Sequence, residues 1–318
     1  MKLEAIIVNY RTAEMTLDSV HALMGALERV PNSEIVVVDN DSQDGSYEKL
    51  SRGVKALRGS SRVTVLAAEK NGGFGYGVNV GVRYGLSSSS PPDYFYLLNS
   101  DAFPDPSAVG ELIHVFEREP QVGIAGSYIY GLDGLPHQTA FRFPSSLSEL
   151  ERALRLGLAS KILSRWRVAL PMPESDCQVD WVSGASMMIR REVFADVGEF
   201  DETFFLYFEE TDFCLRAKKA GWSTHYVRGS AVAHIGSVST GLKDNSRRMP
   251  EYWFDSRHHY FKKNHGRAYL TLTDVLFAIG FSLWRVRRKI QRKPDEDPPA
   301  LLADFIRHSL RARSLRAD

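Results

Sequence analysis

The chain has 318 residues, 43% apolar and 25% charged, an ordinary globular mixture long enough for one large domain or two. Forty Lys and Arg against 39 Asp and Glu give +1, which excludes the strongly basic balance of a general nucleic-acid binder. The charge is uneven: residues 285–318 carry ten basic and five acidic groups, +5, leaving −4 for the rest, so attraction to anionic surfaces belongs to the tail. Cys177 and Cys214 are too few for a disulfide framework or a four-cysteine zinc site, and MKLEAIIVNY is too soon polar for a secretion signal. The expectation is a cytoplasmic protein.

Short apolar runs alternating with amphipathic segments predict an α/β fold, a sheet with helices on its faces. Strands are expected at Leu3–Val8, Glu34–Val38, Arg62–Ala67 and Tyr94–Leu98. Leu17, Val20, Met24 and Leu27 recur at helical spacing and predict a crossover helix between the first two. Asp105 before Pro106 reads as the N-cap of a helix burying Leu112, Ile113 and Phe116. Val122–Tyr130 is a further strand, 131–170 an insertion of little periodicity, Val179–Arg190 a strand, and Glu209–Ala220 a helix ended by Gly221.

Polar residues cluster where these strands end: Asn9 and Tyr10, Asp39 to Asp41, Asn71, and Asn99 to Asp101. Open α/β sheets bind ligands beyond the carboxyl ends of their strands, so these positions define a candidate site. The first turn, NYRTAE, has no glycine, which excludes the dinucleotide-binding fingerprint, and no Gly-Lys pair exists for a P-loop. Asp101 suits either a hard divalent cation or the start of a turn. NGGFGYGVN, with four glycines, reads as a loop whose backbone approaches a ligand or as a flexible connection. Glu209, Glu210 and Asp212 at a helix entrance are either chemical groups or partners of the helix dipole. His234 is either a core histidine or a metal ligand.

Taken in order, IIVNYRT, VVVDNDSQDGS, EKNGGFGYGVNVG, LLNSDAFPDP, WVSGASMMIRREVFADVGEFDETFF, FEETDFCLRAKKAGW and AHIGSVST resemble a family 2 glycosyltransferase of the GT-A fold, in the style of bacterial rhamnosyltransferases of cell-surface polysaccharide assembly. The resemblance spans residues 5–240. It implies a mixed central sheet in a catalytic domain over 1–266, with a donor half to 130 and an acceptor half from 131, and a basic helical extension over 267–318. It also implies an inverting transfer of a sugar, rhamnose by resemblance, from a nucleoside diphosphate to a hydroxyl of a glycan or polyprenyl-diphosphate-linked acceptor. Asn9, Tyr10, Asp39, Asp41, Asn71, Gly72, Gly73, Asn79 and Asn99 would face the donor. Asp101 and His234 would hold Mg²⁺ or Mn²⁺, with Asn99 standing where the family's metal motif has its first carboxylate. Trp181, Gly184, Ala185 and Asp212 would line the acceptor. Glu210, or its neighbour Glu209, would be the base where the family usually has Glu-Asp.

Two rival readings are a nucleotidyltransferase, which would usually carry a basic glycine-rich loop after the first strand, and a non-catalytic glycan-binding scaffold. In the tail, the run from Tyr269 to Trp284 is sixteen residues and includes Asp274, short of the roughly twenty apolar residues that span a bilayer. Leu270, Val275, Phe277, Ile279, Phe281 and Trp284 followed by Arg and Lys suit a helix in the membrane interface, giving peripheral contact through 267–293 at the inner face of the cytoplasmic membrane. The alternative is packing on the catalytic domain or on a second subunit, as in a homo-oligomer.

Overall fold

The predicted N-terminal runs form parallel strands in a computed structural model that describes residues 1–236 and 246–314. The last four residues of the AHIGSVST motif lie outside the described residues. In chain order the first elements are β1 (Leu3–Asn9), α1 (Ala13–Ala26), β2 (Ser33–Asp39), α2 (Ser46–Ala56), β3 (Val63–Ala67), α3 (Phe74–Leu86), β4 (Tyr94–Asn99), β5 (Ala102–Pro104), α4 (Ala108–Arg118) and β6 (Val122–Tyr130). There follow β7 (Ala140–Phe141), α5 (Ser146–Leu154), α6 (Gly157–Ile162), β8 (Cys177–Val179), β9 (Trp181–Val182), β10 (Ser186–Arg190), α7 (Arg191–Val197), α8 (Glu209–Lys219), β11 (Ser223–His234), α9 (Glu251–Ile290) and α10 (Leu301–Ser314). The chain divides into two compact units, one of Met1–Phe141, Leu170–Phe205 and Glu209–Thr240, the other of Arg142–Ala169, Leu206–Phe208 and Gly241–Asp318. The expected division at residue 266 falls inside the second unit.

The first unit is built on a mixed sheet of strand order β3-β2-β1-β4-β10-β6-β11-β5, with β8 also paired to β11. β1 to β4 are mutually parallel, and β10 runs antiparallel between β4 and β6. Nearly every residue of β1, β2 and β4 is buried, as expected of strands covered on both faces. Three expectations are corrected here. NGGFGYGVN is not a loop throughout, because α3 starts at Phe74 and its glycines at four-residue spacing form its sheet-facing stripe. A Cβ at Gly77 would lie 2.6 Å from Val8, and one at Gly81 2.8 Å from Ile6, so these glycines let the helix backbone press against β1. Asp105 is not the N-cap of α4: the helix begins three residues later, after Ser107, and the Asp105 carboxylate accepts from the Tyr130 hydroxyl. The strand expected over 179–190 is broken, because Asp180 N–H turns aside to Phe141 O and the chain then bends at Gly184 before β10.

In the second unit α5 opens with a capping box between Ser145 and Ser148 inside the insertion that looked aperiodic. α9 is two helical segments broken at Gly266, whose φ of 84° no ordinary helical residue adopts. Phe254, Phe277, Phe281, Leu301, Phe305 and Ala153 form its core. Buried Arg257 binds Glu149 at 2.6 Å and Asp274 at 2.7 Å. Of the residues expected to face a membrane, Leu270, Phe277 and Phe281 are buried, and Phe277 and Phe281 belong to this core.

Glu4 is buried on β1 with one carboxylate oxygen unpartnered, and burial, with Glu34 nearby, pushes its pKa up to about 8. Between its ordinary value and about 8 the folded chain therefore holds a proton that the unfolded chain has lost, so stability falls as pH rises through that window. Glu4→Gln should raise the thermal midpoint at pH ~9 and change it little at pH ~4. Paired melting curves at the two pH values check this.

Candidate active site

The site is assembled at the carboxyl ends of the parallel strands. After β1, Asn9 is fully buried: its amide donates to Asp39 Oδ1 at 2.7 Å and to Ser42 Oγ, while its carbonyl accepts from Thr12 and Thr16. Asp39 also accepts from the Ser42 hydroxyl and N–H. Asn9 thus spends its polar atoms clamping the two loops together. Arg11, Asp41 and Gln43 in those loops have φ of 59°, 56° and 55°. Three non-glycine residues in the left-handed region are strain of the kind that gathers at functional sites. Tyr10 lies under the Arg11 guanidinium, 5.0 Å from ring centroid to Cζ.

Asn40, between Asp39 and Asp41, joins two motifs, donating to Asn71 Oδ1 and Gly73 O at 3.0 Å each and leaving its own buried Oδ1 without a partner. Asn71 also accepts from Gly73 N–H. Gly73 has φ 88°, and a Cβ there would lie 1.8 Å from Phe205 O, whose carbonyl accepts from Phe74 N–H. Gly72 faces the Tyr76 ring, which a Cβ would meet at 2.4 Å. Asn79, expected along the donor, is fully buried and bonded to Phe200 and Glu202, fastening α3 to the segment before α8.

The second centre is made by strand register. β11 pairs antiparallel with β5 so that His234 stands opposite Ala102, beside the turn that carries Asp101. His234 Nε2 lies 3.0 Å from Asp101 Oδ1 and 3.3 Å from Asn99 Nδ2, and Gly236 N–H donates to Asp101 Oδ2 at 3.0 Å. Burial works to raise the Asp101 pKa, but the hydrogen bond and charge of His234, with Gly236 N–H, outweigh it and hold the carboxylate low. His137, also missed in the sequence, sets its ring edgewise against His234 with centroids 6.2 Å apart. Among the described residues no three His, Cys, Asp or Glu side chains gather as a metal cage. One carboxylate oxygen and one imidazole nitrogen converging at 3.0 Å do fit a hard divalent cation that takes its remaining ligands from phosphate oxygens and water.

The third centre is the start of α8. Glu209 is buried, Glu210 is partly exposed, and each has a buried oxygen with no partner. Burial raises both carboxyls, Glu209 well above its usual range with the charge of Glu210 adding to it; for Glu210, hydrogen bonds from its own N–H and from Gly184 N–H act against the rise. Gly184 leaves 3.9 Å from its missing Cβ to Glu210 Oε1, and its neighbour Ala185 accepts from Asn99 N–H at 3.0 Å. One short loop therefore ties the Asp101 turn to Glu210. Trp181 stacks on Phe141 at 4.0 Å and 12°, held by the pairing of β7 with β9. Asp212, expected to line the acceptor, lies in the core with no exposure and pairs with Arg216, which in turn donates to Val197 O and Glu199 O.

A mixed sheet with this order, flanked by helices and carrying a carboxylate-histidine pair at one edge, is that of a GT-A glycosyltransferase. Residues 2–250 match the family described as "Glycosyltransferase like family 2", and the chain belongs to it. An N-acetylglucosaminyl-diphospho-decaprenol L-rhamnosyltransferase of Mycobacterium tuberculosis is 29% identical over 65% of this chain and 68% of its own length. The low-salt glycan biosynthesis hexosyltransferase Agl10 of Haloferax volcanii is 28% identical over 92% of this chain and 86% of its own. Among solved structures, GalNAc-T7 with UDP, GalNAc and Mn²⁺ superposes with a TM-score of 0.58 at 14% identity, over 92% of this chain. This chain spans 58% of the length of that protein, and the likeness shows the fold.

If Asp212 is structural, Asp212→Ala should cost about 3 kcal/mol by leaving Arg216 without its buried partner. The acceptor KM of the fraction that folds should stay unchanged. Thermal denaturation and acceptor kinetics on the same preparation read the two effects.

Proposed function

We propose that the chain transfers a hexose, with L-rhamnose the leading candidate, from a nucleoside-diphosphate donor to a hydroxyl of a polyprenyl-diphosphate-linked glycan, with inversion, on the cytoplasmic side of the cell membrane. The observation that carries the reading is the link through Gly184 and Ala185 between a raised, partly exposed carboxylate and the Asp101–His234 pair. The Mycobacterium tuberculosis relative, an N-acetylglucosaminyl-diphospho-decaprenol L-rhamnosyltransferase, supports the sugar and the acceptor class. The Mn²⁺ in the GalNAc-T7 structure supports use of Mn²⁺ or Mg²⁺.

In this reading Asp39, Asp41 and Tyr10 face the nucleoside, with Asn71, Gly72 and Gly73 along the donor and Asn99 beside the diphosphate. Asn9 acts by holding Asp39 in place, and Asn79 by fastening α3 to the segment before α8. A divalent cation at Asp101 and His234 would neutralise charge gathering on the diphosphate leaving group. Trp181, backed by Phe141, offers a flat face to the acceptor sugar, and Gly184 and Ala185 border it. Glu210, the partly exposed member of the pair, accepts the proton of the attacking hydroxyl. A raised pKa suits this, because a base is most effective when its pKa approaches the working pH. Glu209, buried beside it and held protonated more strongly, keeps the pair from carrying two negative charges. Attack from the face opposite the leaving group in one displacement inverts the anomeric centre.

Three outcomes are expected. Asp101→Ala abolishes turnover while circular dichroism is unchanged, and chelation by EDTA does the same to the parent protein; full activity in excess EDTA would overturn the cation's part. Glu210→Gln lowers kcat by roughly a hundredfold or more with donor Kd little changed, and Glu209→Gln is milder. The parent's rate rises with pH along a limb set by a carboxyl above the ordinary Glu range, and Glu210→Gln erases that limb. Loss of the limb in Glu209→Gln alone would move the base to Glu209.

A further inference from the structure

The second unit exposes apolar surface that its own packing does not use. Along α9, Leu272, Val275, Ile279, Leu283, Val286 and Ile290 recur every three or four residues and are 47–76% exposed. This stripe runs about 27 Å at 1.5 Å per residue. The opposite face of the same helix is committed to protein, with Phe277 and Phe281 in the core and Asp274 paired to Arg257. Among the described residues, 11 of the 18 large apolar side chains that are exposed lie in this unit, which has 109 of the 318 residues, so the excess is local. A run of exposed apolar side chains along one helix face is the kind of surface that marks an interaction site.

Charge identifies the occupant. This unit has 23 Lys and Arg against 11 Asp and Glu, a formal +12, whereas the other unit has 17 against 28, or −11. The near-zero total conceals this separation. The stripe also ends among Arg285, Arg287, Lys289, Arg292 and Lys293. A two-fold pairing with a second copy would set the same patch against itself and bring two +12 units together. An anionic bilayer presents the opposite charge and an apolar layer beneath it, which is what a helix with one apolar face and basic neighbours binds.

We propose that the second unit docks on an anionic bilayer, with the second segment of α9 lying parallel to the surface and the Leu272–Ile290 stripe in the headgroup–acyl boundary. This refines the membrane side of the function proposed above but stands on surface chemistry, not on sugar transfer. The face that docks is not the one containing Phe277 and Phe281, which the fold needs for itself.

The test is flotation of the full chain with phosphatidylcholine vesicles, with and without phosphatidylglycerol, at low and high salt. The parent should float with anionic vesicles and release in high salt. Ile279→Glu/Leu283→Glu should bind roughly tenfold less or weaker still, since two apolar contacts become charges. Leu132→Glu, at a 72% exposed site in the other unit, should float like the parent. Lys289→Glu/Arg292→Glu gives a second variant outside the apolar stripe and should also weaken binding. Absence of flotation of the parent at low salt, or parental binding by both double variants, overturns the proposal; so does a parent dimer by light scattering that becomes monomeric in Ile279→Glu/Leu283→Glu without any flotation. Flotation of a parent that neither hydrolyses nor transfers donor sugar would sink the transferase reading and leave the docking intact.

Discussion

The pairing of β11 with β5 is the constraint on which the chemistry depends. It brings together His234 and Asp101, 133 positions apart in the chain, and does so by backbone hydrogen bonds instead of by the side chains themselves. β11 is at the same time the parallel partner of β6, with a register shift between Val227 and Ala231 that re-aims its last residues. A slip of one residue in that strand would turn His234 to the other face of the sheet, away from Asp101. The imidazole is therefore positioned by a rigid element, which is what a site with sub-ångström tolerance requires.

Polar burial near the site serves mainly to hold loops. Asn9, Asp39, Ser42, Thr12 and Thr16 form a satisfied network under the first two loops, and the left-handed residues Arg11, Asp41 and Gln43 sit above it. A satisfied buried network stiffens its surroundings, whereas an unpartnered polar atom costs the full desolvation penalty. The atoms left without partners at the site, Asn40 Oδ1 and one oxygen each of Glu209 and Glu210, are in that second class. They are the positions where a bound ligand would repay most.

The second unit divides its apolar residues between an internal core and an outer stripe on one helix. Asp274 and Glu149 around Arg257 fix which face of α9 turns inward, because removing either carboxylate would leave a buried guanidinium poorly compensated. The ion pairs thereby decide which leucines, valines and isoleucines remain outside.

The strands β1 to β4, helix α1, the core face of α4 and the start of α8 were legible in the sequence, since apolar periodicity and the run of polar residues after each strand follow from local physics. The resemblance carried by the ordered motifs also implied the meeting of Asp101 and His234, which the structure places 3.0 Å apart. Other features depended on contacts between distant segments. α3 carries so many glycines that propensity argues against a helix, and only its pressure against β1 explains them. Asn79 and Asp212 carry site-like chemistry in site-like motifs, yet burial commits them to Phe200 and Arg216. His137 stands in no pattern that spacing could reveal. Which side of the tail helix faces outward was also undecided, because Leu270, Phe277 and Ile279 are equally apolar as letters. The residue types and local periods were set by the sequence alone, whereas register, burial and the choice of helix face were decided by packing, which couples residues more than a hundred positions apart.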